Sequence, residues 1–581
     1  MSKLWRLFSL LAPYKRFTVE ILIFQLLIII FTLPQPFLIK YLIDKGTVYS
    51  NVPVLKILLV LVFLMSLCAF LYFITNYSLL LISNAVSYRV RTKYFSHLQR
   101  LSFTTFDKLE VGDLISRFKD LSFSLPPVVT GIVGAIGNIA AIITYTVLII
   151  IIYPGITIVL VLALIASAII FVPLAKSLNR AFRRRSIKAG EITGKTMDYL
   201  GGIKLIQALA AEKITNRRLE NLMGDFKDLD IKAGRLKLIM ETINTLFISV
   251  VTVICLWLSL QLVLTGDISL GTLTAILALL AYMAMPIRKV VQLAGRVQET
   301  IVHLSRYDEI ISLEPEIKSA PSAIKISERV NGKITIDGVG FSYDQYAPVL
   351  TGISAEIQPG ELVAIVGKSG SGKTTLSNLI PRFYDVNKGR ILIDDNDIRS
   401  LDLDSLRHQI SVVPQDPVIF TGTVRDNISF GCPDADMETI IKAAKEANIH
   451  DTIMSLPKQY ETWIGYRGFR LSGGERQRLS IARALILDRP IIIMDEATSY
   501  LDVQSEAQIQ ATLEKLRGNH TVIIIAHRLT TVRKADQILV LEDNRIVESG
   551  NHEVLMERSG VYRHLVEAFL APMVKESTNV E

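Results

Sequence analysis

The stretch that decides the fold is AIVGKSGSGKTTLSNLI, Ala364–Ile380. Its first residues are apolar, as in a buried strand, and the apolar residues after Lys373 follow helical spacing. A loop of glycine and serine joins the two segments. Glycine permits backbone conformations that other residues avoid, so successive N–H groups in such a loop can turn toward one anion. The stretch therefore predicts a strand, a phosphate-binding loop and a helix.

The chemistry of this loop points to a nucleoside triphosphate. Gly367 to Thr374 fits the spacing G-x-x-x-x-G-K-[ST] at every fixed position. The helix that begins near Lys373 adds its positive dipole end to the loop. Lys373 supplies a charge for the β- and γ-phosphates, and Thr374 supplies a hydroxyl for Mg²⁺. We expect this loop to bind ATP with Mg²⁺.

Two later apolar segments end in residues suited to hydrolysis. In PIIIMDEATS the predicted strand ends at Asp495 and Glu496, and in TVIIIAHR it ends just before His527. Asp495 is expected to meet Mg²⁺, and Glu496 to polarise the attacking water. His527 is expected to reach the γ-phosphate. Lys373, Glu496 and His527 are the predicted catalytic residues.

A second helix start lies in LSGGERQRLSIARAL, Leu471–Leu485. Ser472, Gly473 and Gly474 open this helix, whose free N–H groups suit an anion. Since the chain already has one phosphate-binding loop, this second site is expected to serve a nucleotide held by another copy of the domain.

The first half of the chain is a predicted membrane domain. Half of all residues are apolar, and the mean hydropathy is +0.39. Six apolar runs reach the length of about 20 residues that a membrane-spanning helix needs. They lie near 17–43, 54–86, 125–152, 155–177, 238–265 and 268–287. The first run is too long for a cleaved signal peptide and is followed by further spans.

The distribution of lysine and arginine predicts the orientation. Basic residues concentrate before span one, between spans two and three, and between spans four and five. The other connections are nearly free of them, so both termini are expected on the cytoplasmic side. The net charge of +8 is therefore mainly a topology signal, and nucleic-acid binding is excluded. The half-size chain without a transit peptide favours a bacterial inner membrane.

Charged side chains are scarce within the spans, and no chain of acidic or histidine residues suggests a proton relay. Scattered polar residues are expected to form helix–helix hydrogen bonds rather than to bind substrate. They are Asn76, Asn138, Thr144, Asn244 and Gln261. The three cysteines fit neither a zinc site nor a disulfide framework and are expected to be packing residues.

The predicted fold is an α-helical membrane bundle of six spans with long cytoplasmic extensions, followed by an α/β P-loop ATPase domain. The expected boundaries are 1–312 for the membrane domain, 313–332 for a linker, 333–572 for the nucleotide-binding domain and 573–581 for a polar tail. The linker is polar and contains two prolines. Short strands alternate with helical patterns after it, which is typical of a layered α/β domain.

These motifs identify the chain as resembling ATP-binding cassette exporters, specifically half-transporters such as lipid A flippases and multidrug exporters, with the type IV exporter fold. LSGGERQR is the signature of that family, which adds Leu471 and Glu475 to the second nucleotide site. The resemblance implies that Tyr343 stacks on adenine, that Gln415 touches Mg²⁺, and that Ser499 and Asp502 belong to the D-loop. The ATP-binding residues it implies are Tyr343, Gly367, Lys368, Ser369, Gly370, Ser371, Gly372, Lys373, Thr374, Thr375 and Gln415.

The resemblance further implies a dimer with two ATP sites, each formed by the P-loop of one copy and the signature of the other. Because Glu496 and His527 are present, a homodimer is favoured over pairing with a second half-transporter. One departure is TWIGYRG, where Trp463 and Tyr466 replace two acids that are usual in the family, so the contact of this stretch with the membrane domain is open.

The expected function is ATP-driven export of hydrophobic or amphipathic substrates, such as lipids, lipid-linked compounds or drugs, by alternating access. Two alternatives stay open. One is a peptide exporter, although no protease domain precedes the first span to cleave a leader. The other is an ATP-gated channel or sensor that uses the same nucleotide-binding domain without pumping.

Overall fold

The structure is a computed structural model that describes residues 11–46, 53–109, 111–343, 347–465, 471–495, 503–526 and 528–567. The chain divides into two compact units. The first comprises Met1–Leu101 and Thr105–Glu314, and the second comprises Ser102–Thr104 and Pro315–Glu581. The predicted polar tail at 573–581 lies outside the described residues.

The described residues from Lys15 to Ile311 form nine helices. They are α1 (Lys15–Thr32), α2 (Pro34–Gly46), α3 (Val54–Leu98), α4 (Phe103–Lys108), α5 (Val111–Ile152), α6 (Pro154–Gly201), α7 (Ile203–Ala208), α8 (Glu212–Leu264) and α9 (Leu270–Ile311). A 3₁₀ turn, Ala12–Tyr14, precedes α1. The short helices α4 and α7 each lie between two long helices that pack against each other, α3 with α5 and α6 with α8.

Five helical segments in the described part of the chain are long and apolar enough to cross a membrane. They are Ala12–Lys45, Val54–Leu98, Val111–Ile152, Glu212–Leu264 and Leu270–Leu293. The remaining predicted span, 155–177, lies within α6, which is not among the five. Apolar helices satisfy their own backbone hydrogen bonds, which is why this architecture suits a bilayer.

Close helix packing holds the first unit together. An added Cβ on Gly112 of α5 would lie 2.6 Å from the Cα of Gly194 in α6, so the two backbones meet where only glycine fits. Arg306 of α9 donates to Asp120 of α5 at 3.2 Å and to the Ser186 hydroxyl of α6 at 3.0 Å. This arginine therefore ties three helices together by charge-assisted hydrogen bonds.

The predicted helix–helix hydrogen bonds are wrong for two of the polar residues in the spans. Asn76 donates to the carbonyl oxygen of Tyr72, and Thr144 donates to that of Ala140. Both bonds stay within one helix, because a short polar side chain reaches the carbonyl four residues earlier more easily than a neighbouring helix.

The second unit contains twelve strands among its described residues. They are β1 (Ile334–Phe341), β2 (Leu350–Ile357), β3 (Leu362–Gly367), β4 (Lys388–Ile393), β5 (Asn396–Asp397), β6 (Ile410–Val413), β7 (Gly422–Thr423), β8 (Trp463–Ile464), β9 (Ile491–Asp495), β10 (Thr521–Ile525), β11 (Gln537–Glu542) and β12 (Arg545–Gly550).

Short helices connect these strands. They are α10 (Lys373–Leu379), α11 (Leu403–Arg407), α12 (Val424–Ile428), α13 (Met437–Glu446), α14 (His450–Met454), α15 (Gly473–Leu485), α16 (Val503–Leu516), α17 (Leu529–Val532) and α18 (His552–Glu557). Two 3₁₀ turns, Ser429–Gly431 and Gln459–Glu461, complete the described elements.

Three sheets organise the part of the second unit that the structure describes. The central sheet has the strand order β12-β11-β3-β10-β9-β6, in which β12 alone is antiparallel to its neighbour. An antiparallel sheet has the order β2-β1-β4-β5, and β7 pairs with β8. Parallel strands need crossover connections, which explains the alternation of strand and helix along the chain.

The core lies on both faces of the central sheet. Along β3, Val363 and Ile365 pack in one apolar cluster, while Leu362, Ala364 and Val366 pack in another on the opposite side. Successive side chains of a strand point to opposite faces, so a strand buried on both faces appears as a continuous apolar run. That is why the residues before the glycine-rich loop show no polar alternation.

Candidate functional site

The loop after β3 holds a buried lysine. Lys373 is 6% exposed, and its Nζ donates to the carbonyl oxygens of Gly367 and Lys368, each 2.9 Å away. An ammonium group held by carbonyl dipoles at the start of a helix is a strong attractor for an anion, because burial reduces the screening by water.

Glycine is required in this loop by close contact and by backbone conformation. An added Cβ on Gly367 would lie 2.2 Å from the carbonyl oxygen of Leu541, a backbone atom of β11 that cannot yield. Gly372 has a φ of +97°, and a Cβ there would lie 2.6 Å from Leu350. Gly370 has a φ of +83° with no atom within 4 Å of an added Cβ, so it faces open space.

Polar groups of the loop are left for a ligand. Ser371 is 7% exposed, and its hydroxyl has no hydrogen-bond partner among the described residues. Within that part of the chain, no acceptor takes the N–H of Gly370 or Gly372 either. A buried hydroxyl without a partner is costly. Phosphate oxygens in the loop would satisfy these donors.

An ion pair at the edge of the loop was not predicted from the sequence. Lys368 Nζ lies 2.9 Å from Glu542 Oε1, and this hydrogen bond raises the pKa of the Lys368 ammonium. The pair joins the loop to the end of β11. It could not be found from the sequence, because 174 residues separate the partners.

The proposed adenine-stacking residue, Tyr343, is held at a fixed orientation beside α10. Its ring meets Phe341 edge-on at 4.9 Å and Tyr384 edge-on at 5.2 Å. Its hydroxyl lies 3.1 Å from the Thr375 hydroxyl. The side chain is nevertheless 44% exposed. An exposed ring with fixed edges is suited to stacking on a flat base.

An acidic residue, Asp495, lies at the same end of the parallel strands as the loop. Asp495 is the last residue of β9 and is 8% exposed. In register it pairs with Ile525 of β10, which in turn pairs with Ile365 of β3. Two strand spacings, about 10 Å, therefore separate Asp495 from the strand that carries the loop.

The other two predicted metal ligands lie shortly after the ends of β3 and β6, two parallel strands of the same sheet. Thr374 is exposed in the first turn of α10, and Gln415 is exposed two residues after β6. Four predicted site residues, Glu496, Ser499, Asp502 and His527, lie outside the described residues. Glu496 directly follows Asp495, and His527 follows Ala526, whose N–H donates to the Ile365 carbonyl.

The second predicted nucleotide site begins at Ser472, the N-cap of α15. The Ser472 hydroxyl accepts from the Glu475 N–H at 3.2 Å, and Glu475 Oε2 accepts from the Ser472 N–H at 2.7 Å. This capping box explains the glutamate of the motif. Leu471 is buried before the cap. In the described part of the chain, no acceptor takes the N–H groups of Gly473 and Gly474, which remain for an anion.

Arg483 of α15 donates hydrogen bonds to neighbouring segments of the same domain. Arg483 donates to the carbonyl oxygens of Val418 at 2.7 Å and Asn427 at 2.9 Å. Its guanidinium also lies over the rings of Phe420 and Phe430. Burial lowers the pKa of Arg483. This residue thereby anchors the segment that follows Gln415, a role that the sequence motif does not reveal.

Two family descriptions match the chain. The ABC transporter transmembrane region matches residues 18–287, and the ABC transporter description matches residues 350–499. The second range contains the P-loop, the capped helix α15 and Asp495.

Relatives along nearly the full length agree with this assignment. A Bacillus subtilis protein, YgaD, provisionally named a multidrug export ATP-binding/permease protein, is 33% identical over 97% of this chain and 99% of its own length. The ATP-dependent lipid A-core flippase of Syntrophus aciditrophicus is 36% identical over 82% of this chain and 79% of its own length.

A solved structure is also similar. A bacterial Atm1-family ABC exporter with ATP bound has a TM-score of 0.86 and 28% identity, and the match covers 96% of this chain and 98% of that chain. The membrane helices and the nucleotide-binding unit are thus fused in one chain, as in these exporters. The chain belongs to the ABC transporter family, as an exporter that couples ATP hydrolysis to transport across a membrane.

Proposed function

We propose that two copies of this chain form a homodimer that encloses two ATP molecules and exports hydrophobic or amphipathic compounds. The observation that best supports this proposal is that the chain has two separate groups of N–H donors suited to an anion. One is the loop around Lys373, and the other is the start of α15 at Ser472. Each offers unpaired N–H groups, and a nucleotide between two copies would satisfy both.

The strand order supports binding across two copies. The P-loop follows β3, whereas α15 packs against β6, at the edge of the sheet. Three strand spacings, about 14 Å, separate β3 from β6. A second copy in the opposite orientation would bring its Ser472 to the first copy's P-loop. The charged triphosphate would then be bound by donors of both copies, so the two nucleotide-binding domains would stay together only while ATP is bound.

The residues present fit Mg²⁺. Thr374, Gln415 and Asp495 offer a hydroxyl, an amide oxygen and a carboxylate, which are the hard oxygen ligands that Mg²⁺ prefers. When bound, the ion would neutralise charge on the β- and γ-phosphates. We propose these residues as its ligands.

The proposed hydrolysis assigns one task to each residue. Lys373 binds the β- and γ-phosphates, Glu496 polarises the attacking water, and His527 holds the γ-phosphate. Shifting a two-state ratio from 1:99 to 99:1 requires about 5.5 kcal/mol of differential binding. Two ATP molecules, each bound by backbone donors and a lysine, could supply it, and hydrolysis would then release the dimer and reset the membrane domain.

The orientation and location are proposed from the sequence. Both termini lie in the cytoplasm, in agreement with the basic connections, and the membrane is a bacterial inner membrane, which suits the bacterial relatives. The domain boundaries proposed are 1–312, 313–332 and 333–572. The D-loop residues Ser499 and Asp502 are assigned to the interface between the two copies.

A complementation experiment tests the shared sites. Lys373→Ala removes the P-loop charge, and Ser472→Arg blocks the second site. Each variant alone should be inactive as a homodimer. A tagged heterodimer of the two variants retains one complete site if the sites are shared, and we expect it to recover measurable ATPase activity. Homodimers of wild-type and of each variant are the controls.

If the heterodimer is as inactive as its parents while wild-type is active, each site lies within one copy and the proposal fails. A second measurement concerns the catalytic base. Glu496→Gln should retain ATP binding, lose hydrolysis and stop uphill export from vesicles. Uphill export that continues in this variant would contradict the proposed mechanism.

A further inference from the structure

A cavity of about 750 Å³ lies within the helices of the first unit. Residues of α1, α2, α3, α5 and α9 line it. This volume is within the usual range of small-molecule binding sites, about 300–1,000 Å³.

One stripe of α9 makes the wall of this cavity basic and polar. Met285, Lys289, Gln292 and Arg296 line it at spacings of four, three and four residues, so they share one helix face. Lys289 and Arg296 are two turns apart, about 10 Å along the axis. Both side chains are long enough to approach one group placed beside Gln292.

The two bases have no acidic partner among the described side chains. Lys289 Nζ lies 5.2 Å from the centre of the Tyr72 ring and 3.5 Å from the Tyr72 hydroxyl. Among the described side chains, neither Lys289 nor Arg296 forms an ion pair and no acidic residue lines the cavity. Positive charges that lack an acidic partner attract an anion, and Arg296 is exposed enough for one to reach it.

The other end of the cavity is neutral and already hydrogen-bonded. Tyr282 donates its hydroxyl to Gln35 Oε1 at 2.8 Å, and Gln35 Nε2 donates to the carbonyl oxygen of Phe31. Gln35 is 3% exposed. Tyr282 precedes Lys289 by two helical turns, so this closed network and the bases occupy opposite ends.

One amide between these ends has an unused acceptor. Gln25 Oε1 is buried and has no hydrogen-bond partner among the described residues. The side chain lies against Gly137 of α5, where an added Cβ would be 2.1 Å from that oxygen. Gln25 thus lines the cavity while its carbonyl oxygen is packed against α5, so this side chain joins two walls of the cavity rather than binding the ligand.

We propose that this cavity binds an anionic amphiphile, with its phosphate or carboxylate between Lys289 and Arg296 and its remaining length directed toward Gln35. The inference rests on the proposed export function and narrows its substrate class. It narrows the expected class of hydrophobic or amphipathic substrates to those that carry an anionic head group.

A neighbouring cavity extends the basic surface. It measures about 460 Å³ and shares Arg296 with the first cavity. Arg185, Lys237 and His303 also line it, together with the paired carboxylate of Asp120. Arg185 is paired with Asp230, and His303 lies 3.3 Å from Asp120, so Arg296 is the base that the two cavities share.

The test measures equilibrium binding of radiolabelled probes to the full chain in phosphatidylcholine nanodiscs. Oleoyl lysophosphatidate carries the phosphate and the chain, monooleoylglycerol carries the chain alone, and glycerol 3-phosphate carries the head alone. We expect lysophosphatidate to bind at least about tenfold more tightly than either, a difference of about 1.4 kcal/mol. Salt is kept near 0.15 M, where exposed charges are screened beyond about 8 Å.

Variants assign the effect to the two bases. Lys289→Gln combined with Arg296→Gln should weaken lysophosphatidate binding about tenfold or more and leave monooleoylglycerol unchanged. Arg288→Gln, beside Lys289 but outside the cavity lining, is the matched control and should bind like wild-type. The exchange Lys289→Arg with Arg296→Lys keeps both charges and should retain binding, which separates lost charge from misfolding.

Two results would overturn the inference. One is equal wild-type affinity for lysophosphatidate and for either partial probe, which would assign recognition to the chain or to the head alone. The other is unchanged lysophosphatidate binding in the double glutamine variant. If either result is found while the protein still exports a substrate against its gradient with ATP, the assigned substrate class is wrong and the proposed function stands. If the wild-type protein cannot drive export against a gradient, the proposed function itself is wrong.

Discussion

The Tyr343 hydroxyl lies 3.1 Å from the Thr375 hydroxyl, so the aromatic residue after β1 is joined to the helix that follows the P-loop. This contact relates the proposed adenine platform to the phosphate-binding loop.

The first prediction separates the ring of Tyr343 from its hydroxyl. Tyr343→Ala should weaken ATP binding by about 1–3 kcal/mol, the usual value of one aromatic–base stack. Tyr343→Phe keeps the ring and should lose about 1 kcal/mol or less, the net value of a hydrogen bond. Equilibrium binding in a Glu496→Gln background provides the measurement, and equal affinities for the alanine variant and wild-type would contradict the platform role.

The second prediction compares two glycines of the loop. Gly367→Ala should lower the free energy of unfolding by about 2 kcal/mol or more, because its Cβ would meet the Leu541 carbonyl and overpacking typically costs 1–3 kcal/mol. The Cβ added by Gly370→Ala would face open space, so this change should lower the free energy of unfolding by only about 1–2 kcal/mol, because of the positive φ. Thermal unfolding without nucleotide should therefore rank Gly367→Ala as the less stable variant, and the reverse order would refute the steric argument.

The third prediction concerns Arg483. Arg483→Lys keeps the charge but cannot reproduce the hydrogen bonds to Val418 and Asn427, so we expect a loss of about 1–3 kcal/mol in the free energy of unfolding. Arg425→Lys is the matched control, since its ion pair with Glu461 is exposed and should contribute less than about 1 kcal/mol. Denaturant unfolding checks both, and equal stabilities would remove the anchoring role.

The fourth prediction is a pH dependence at His552. Burial, with a smaller contribution from the Arg533 charge, lowers the pKa of His552 from 6.5. The ring lies 2.7 Å from the Tyr562 hydroxyl, whose pKa is raised to about 12 by burial. The unfolded chain then takes up a proton near pH 6.5 that the folded chain takes up only at lower pH.

Stability contributed by neutral His552 should therefore be present above pH 6.5 and fall as the pH drops toward the lower folded pKa. His552→Gln should remove this slope, so the stability difference between wild-type and variant should shrink on acidification through that window. Thermal unfolding between pH 7.5 and 5 measures it, roughly spanning the range in which histidine titrates. A constant difference would show that His552 does not titrate differently on folding.

Local patterns predicted most of the residues that are proposed for the nucleotide site. The P-loop, the capped start of α15 and Asp495 at a strand end each depend on residues that are near one another in the chain, so spacing alone reveals them. Distant partners could not be predicted in this way. Glu542 beside Lys368 and Val418 beneath Arg483 meet only after the strands and helices pack, and no periodicity relates their positions.

By itself, the sequence determined the class of the protein: apolar runs long enough to span a bilayer, a phosphate-binding loop and a signature helix suffice for an ATP-driven exporter. Only the tertiary structure decided what its membrane helices enclose. Lys289 and Arg296 look like ordinary charges near the end of an apolar run, and Gln25 and Gln35 look like packing residues. Whether a side chain faces lipid, a helix or a cavity depends on the rotation of each helix against its neighbours, and that is settled by packing across hundreds of residues rather than by local composition.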